Sequence, residues 1–154
     1  MQVKSNSTRS AVTRASPEAT YALLADVVRS VGHFPDLESL TPDADTYLWK
    51  MKKVGVGPLS FQSWYAARYE IEPASRSVRW RSVAGRGNTD VVGSWLIEPQ
   101  TTGTRFTLEV SFALELPLPS LLRGAVEKVM AIENDRIVGQ YLLALQATLD
   151  RNAI

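Results

Sequence analysis

Glu133, Arg136 and Gln140 combine an acid, a guanidinium and a carboxamide at the spacing of one helix face. Set beside a bound carbonyl compound, Glu133 can shift a proton and Arg136, or a tyrosine hydroxyl, can polarise the carbonyl. The same i,i+3 spacing also lets Glu133 and Arg136 simply pair. Elsewhere, residues that carry chemistry are sparse. His33 is the only histidine and cysteine is absent, which excludes disulfides, thiolate nucleophiles and histidine-cluster metal sites. His33 reads as a surface or turn residue. No Ser-His-Asp order, paired-acid motif or metal-ligand spacing emerges, so the metal expectation is none. Gly85-Arg86-Gly87 lacks the following helix and Lys-Ser/Thr pair of a phosphate loop, and reads as a hairpin turn.

The element that must position these groups is a long helix. Pro117-Leu118-Pro119-Ser120 breaks the preceding pattern, and a helix follows from about Leu121 to Asp150. At about 100° per residue its inward stripe is Leu122, Val126, Val129, Met130, Ile137, Ala144 and Ala147, with Glu133 near the centre. Arg136 and Gln140 fall within roughly 60° of that centre. An unpaired carboxylate in a dry core costs several kcal/mol. Polar groups on the covered face therefore imply a chamber, and a chamber implies a ligand. Leu142, Leu145 and Leu149 gather on the far side with Val138, which predicts cover by another element or a docking strip for an assembly partner.

The earlier chain supplies the cover. Residues 2 to 14 are rich in Ser, Thr and Val and read as a polar strand. Ser16-Pro17-Glu18 then starts a helix, with Tyr21, Leu24, Val27 and Val28 at helical spacing and a stop near Gly32. His33 to Leu37 begins a second short helix or turn that ends at Thr41-Pro42. From Asp45 the period becomes two: Tyr47, Trp49 and Met51 share one parity, and a turn is expected at Gly55-Val56-Gly57-Pro58. Phe61, Tyr65, Tyr69 and Ile71 follow on one face, then Val78, Trp80 and Ser82, then Val91, Trp95 and Ile97. Phe106, Leu108, Val110, Phe112 and Leu114 complete the series opposite Arg105, Thr107, Glu109 and Glu115. Such alternation marks an antiparallel sheet with one buried and one wet face. Trp64 falls on the wet face and reads as a strand former.

Length and charge bound the function. At 154 residues the chain is expected to form a single domain, 1-154. Lys and Arg number 17 against 16 Asp and Glu, and no basic run exceeds Lys52-Lys53, so no nucleic acid partner is expected. Met1 to Ser7 lacks the apolar region of a signal peptide and no stretch is long and apolar enough to span a membrane, which makes cytoplasmic localisation the expectation.

Several local phrases carry a family likeness. Ala15-Ser16-Pro17-Glu18 opens the first helix, Ala25-Asp26-Val27 ends it and Phe34-Pro35 follows. Gly93-Ser94-Trp95-Leu96-Ile97-Glu98-Pro99 and Gly103-Thr104-Arg105-Phe106-Thr107-Leu108 form the last two strands. Over nearly its whole length the chain resembles the START-like, helix-grip (SRPBCC) superfamily, and within it the polyketide cyclase/dehydrase and coenzyme-Q-binding branch. The resemblance implies an α+β helix-grip fold: a curved antiparallel sheet of six to seven strands wrapped around the long C-terminal helix, with two short helices after the first strand. It also implies a mostly apolar cavity between sheet and helix.

Two function classes fit this shape best. In the first, the chain is a carrier or sensor that binds a lipid, polyprenyl quinone or aromatic polyketide-like molecule. Trp49, Phe61, Tyr65, Tyr69, Trp80, Trp95, Phe112, Met130 and Ile137 supply apolar area, and Glu133 and Gln140 orient one end. Burying roughly 300 Å² of ligand contributes on the order of 7 kcal/mol before ordering costs. In the second, it is a cyclase or dehydratase with Glu133 and Arg136 as catalytic candidates. Neither needs a cofactor. The bland alternative is that the aromatics merely fill the core. Beyond the small hydrophobic ligand, peripheral membrane contact, a homodimer and the assembly-partner role of the leucine strip stay open.

Overall fold

Ser16 and Asp26 shape the segment between the first two strands. Ser16 Oγ accepts the Ala19 N–H at 3.1 Å and Pro17 takes the first helical position, which starts α1 (Pro17–Ala25). Asp26 adopts an extended backbone and its carboxylate accepts the Arg29 N–H at 3.2 Å, so a second helix, α2 (Val27–Val31), begins where α1 stops. The two short helices are therefore halves of what the apolar spacing alone predicts as one. Residues 37–43, expected to lie in a short helix or turn, form a strand. Its Pro42 is tolerated because the strand is an edge.

The computed structural model describes residues 1–55 and 57–153. The strands are β1 (Gln2–Thr13), β2 (Leu37–Asp43), β3 (Thr46–Met51), β4 (Trp64–Glu72), β5 (Ser77–Gly87), β6 (Thr89–Gln100) and β7 (Gly103–Glu115). The turn expected at Gly55 to Pro58 includes Val56, which lies outside the described residues; Gly57–Leu59 form a single 3-10 turn. All seven strands join one antiparallel sheet in the order β1-β7-β6-β5-β4-β3-β2. Irregularities between Leu37 and Ser39 and between Tyr65 and Ala67 add local twist to a sheet that curls into a half-barrel. The helices α1 and α2 carry the chain from one sheet edge, β1, to the other, β2.

The long helix, α3 (Arg123–Arg151), closes the open side of the curl. Its buried face is Val126, Met130, Val138, Tyr141, Leu142, Leu145 and Leu149. The leucine strip at 142, 145 and 149 is thus core, covered by β1 and α1, and the partner-docking expectation for it is overturned. The reason is rotation of the contact face. By about 100° per residue, Leu145 and Leu149 stand roughly 100–140° around from Val126, so no single stripe describes the helix. Its first half faces the hollow of the sheet, while its second half lies against β1 and α1. Asp150 fixes the far end, accepting the Thr13 hydroxyl at 2.6 Å and the Arg14 N–H at 2.9 Å. Arg9 binds Asp135 at 2.7 Å midway along.

Candidate functional site

Strand pairing brings the inward aromatics into register. Trp49 pairs with Tyr65 and Tyr69 with Trp80 across adjacent strands, and both ring pairs stack, at 5.7 and 5.5 Å between centroids. Phe34, from the segment after α2, meets Trp49 edge-on at 5.4 Å and Tyr141 at 4.9 Å. Trp80 is accommodated by its cross-strand neighbour Gly93, where a Cβ would stand 2.2 Å from the indole carbons.

These rings wall a cavity of about 150 Å³ between the sheet, α2 and the first half of α3. Of the residues singled out from sequence, Trp49, Phe61, Tyr65, Tyr69, Trp80, Trp95, Phe112, Met130, Glu133 and Ile137 all line it. Gln140 does not. It is exposed, and its Oε1 accepts a long, 3.5 Å hydrogen bond from Arg136. The rotation of the α3 contact face explains this: the buried side has moved away from Gln140 by that turn. Arg136 also lies outside the lining, at the cavity mouth. Its guanidinium donates to Glu133 Oε2 at 2.6 Å and to Asp36 Oδ2 on the segment between α2 and β2. Hydrogen bonds to Asp36 and then Glu133 hold this guanidinium even more firmly protonated than usual.

Sequence reasoning missed Phe34, Asp36 and Tyr141. Tyr141 continues the i,i+3 and i,i+4 spacing from Val138 and Ile137, so it was findable. Asp36 carried no such signal, since its backbone is left-handed (φ 58°) and its partner is 100 residues away. His33 is a brace: Nδ1 lies 2.9 Å from the Arg29 carbonyl oxygen and Nε2 2.7 Å from Thr148 Oγ1, joining α2 to α3. Trp64 sits on the outer face, 44% exposed.

The interior has little acid–base capacity. The charged lining residues are Asp36, Lys52 and Glu133, none of them buried. Glu133 and Asp36 are committed to Arg136. Burial pushes the hydroxyls of Tyr65, Tyr69 and Tyr141 well above the usual tyrosine range, so they stay neutral. Tyr141 shares a 2.8 Å hydrogen bond with Ser30 Oγ. The indole N–H of Trp49 is buried without a hydrogen-bond partner, an omission that costs about 1–3 kcal/mol. Such a chamber can hold and orient an apolar molecule, and both carboxylates described in its lining are engaged by Arg136.

A curled antiparallel sheet gripping a long helix around an apolar chamber defines a START-like, helix-grip protein. The chain belongs to the polyketide cyclase/dehydrase and lipid transport family, whose model matches residues 5–149. Among solved structures it is similar to the Zhui aromatase/cyclase from Streptomyces sp. R1128, with TM-score 0.69, 14% identity and coverage of 98% of this chain and 96% of that one. It is also similar to the protein TTHA0849 from Thermus thermophilus (TM-score 0.64, 21% identity, 96% and 99% covered). A START superfamily protein from Mycobacterium smegmatis matches at TM-score 0.60 and 15% identity, with 95% and 97% covered. Identities this low speak to the fold. No curated protein gives a significant sequence match.

Proposed function

We propose that this chain binds a small hydrophobic ligand in the chamber between sheet and α3, as a carrier or sensor. The observation that carries this reading is the aromatic-walled cavity of about 150 Å³ with an orphaned indole N–H inside it. A core built only for stability fills such space and leaves no buried donor unpaired. Trp49, Phe61, Tyr65, Tyr69, Trp80, Trp95, Phe112, Met130 and Ile137 are the proposed ligand contacts, with Glu133 at the mouth. Lipids, prenyl quinones and aromatic polyketide-like molecules are the classes to test.

A second reading is a cofactor-independent cyclase or dehydratase, favoured by Glu133 on the cavity lining and by the likeness to an aromatase/cyclase. It ranks lower because the Glu133 carboxylate is engaged by Arg136, which leaves it a poor general base.

Native mass spectrometry of the protein as purified, followed by solvent extraction, tests the binding reading. A co-purified or added hydrophobe bound at one per chain is expected. If prenyl quinones, fatty acids, sterols and aromatic ketones all fail to bind, while Glu133→Gln abolishes turnover of an aromatic polyketone, the enzyme reading replaces it.

A further inference from the structure

Several side chains with polar atoms line the chamber. Trp49 is only 4% exposed and its indole N–H has no partner. Tyr65 stacks on Trp49, and Tyr69, which stacks on Trp80, lines the same chamber. Tyr141 lines it from α3, its hydroxyl sharing a 2.8 Å hydrogen bond with Ser30 Oγ. One N–H and three hydroxyls from β3, β4 and α3 therefore belong to side chains that line one mostly apolar chamber. All of them can donate, all are neutral, and the fully buried Trp49 N–H has no partner.

The size of the space limits what reaches that N–H. An apolar cavity of about 150 Å³ takes up a single benzene ring. The walls are stacked and edge-on aromatic rings, suited to a flat guest. The lining's charged side chains lie at the exposed mouth, so a charged guest would have no counter-ion at the inner end.

Building on the proposed binding function, we infer that the Trp49 N–H, flanked by Tyr65 and Tyr69, is a subsite for the carbonyl oxygen of an uncharged single-ring aromatic group. Any larger substituent leaves through the mouth beside Asp36 and Arg136. The indole N–H finds its acceptor in the ligand, and Tyr69 adds a second donor to the same oxygen. Selectivity between a carbonyl compound and a hydrocarbon of equal shape then resides in Trp49 and Tyr69, with the other rings supplying contact area alone.

The test is calorimetric titration with acetophenone and with cumene, which replaces the carbonyl by a branched alkyl group of similar shape. Wild type, Trp49→Phe and Tyr69→Phe are compared, with folding of each variant checked by circular dichroism. Acetophenone affinity is expected to fall about five- to twentyfold in Trp49→Phe, the loss of one hydrogen bond, while cumene affinity stays within about twofold. The Trp49 indole proton resonance of the wild type should move downfield with acetophenone and not with cumene. That spectrum carries the test should Trp49→Phe fail to fold. Equal losses for both ligands, or no downfield movement, overturn the subsite while leaving cavity binding intact. Failure of both compounds to bind the wild type at millimolar concentration overturns the cavity reading as well.

Discussion

Trp80 and Gly93 face each other across β5 and β6, and the indole occupies the space that a side chain at 93 would need. A Cβ there would lie 2.2 Å from Trp80 Cε2 and Cζ2, far inside contact distance. Gly93→Ala must therefore push Trp80 into the chamber or shift the strand. Overpacking of this kind costs about 1–3 kcal/mol. At about 2–4 °C per kcal/mol for a chain of this size, the melting temperature should drop measurably in scanning calorimetry. Cavity-ligand affinity should fall with it; an unchanged melting temperature would mean that Trp80 moves freely.

Arg136 ties α3 to the segment before β2 through Asp36, across the cavity mouth. Both side chains are about one-third exposed, so the pair adds at most about 1 kcal/mol to stability. On the proposed binding reading, its larger effect is on passage. Arg136→Gln should speed ligand dissociation severalfold in stopped-flow fluorescence with little change in melting temperature, and molar salt should move the wild type toward the variant. Identical exchange rates would show that ligand enters elsewhere.

The legibility of the sequence differs by element. Alternation in β4 to β7 placed the inward rings correctly because a period of two leaves no ambiguity about faces. The final helix was harder. Its covered face rotates along its length, so the Glu133-centred stripe held through Ile137 and failed at Leu142, Leu145, Leu149 and Gln140. The split at Asp26 and the strand at residues 37–43 were hidden by good helical spacing on one side and by Pro42 on the other. Asp36 at the mouth arises from tertiary packing and a left-handed backbone, for which local pattern holds no signal.

Asp150 links the end of β1 to the end of α3, and hydrogen bonds from the Thr13 hydroxyl and the Arg14 N–H hold its carboxyl below its ordinary value of 3.8. A carboxyl lowered on folding contributes stability that is complete above the unfolded value and is lost as pH falls through the folded one. Asp150→Asn should lower urea-derived stability by about 1 kcal/mol at neutral pH. The gap to wild type should close as pH drops below 3.8. A gap independent of pH would deny the carboxylate this role.

Three of the five tyrosines, Tyr65, Tyr69 and Tyr141, have hydroxyls pushed above the ordinary value of 10.0 by burial. An acid raised on folding contributes stability that is present below the unfolded value and is lost as pH rises past it toward the folded value. In the native protein these three should show no phenolate absorbance just above pH 10, and then ionise together on unfolding. Gradual ionisation of all five without loss of structure would place their hydroxyls in water.

A cavity-filling variant tests most directly whether the chamber holds a ligand. Val110 lines the chamber from β7, and Val110→Phe adds ring atoms to that wall. The measurement is the rise in melting temperature of wild type and Val110→Phe on saturation with acetophenone. At 100 times the dissociation constant, binding stabilises the wild type by about 2.7 kcal/mol, a rise of about 5–10 °C. A folded Val110→Phe should show a rise of less than about half that size. An equal rise in both proteins, or none in the wild type, would contradict ligand binding in the chamber.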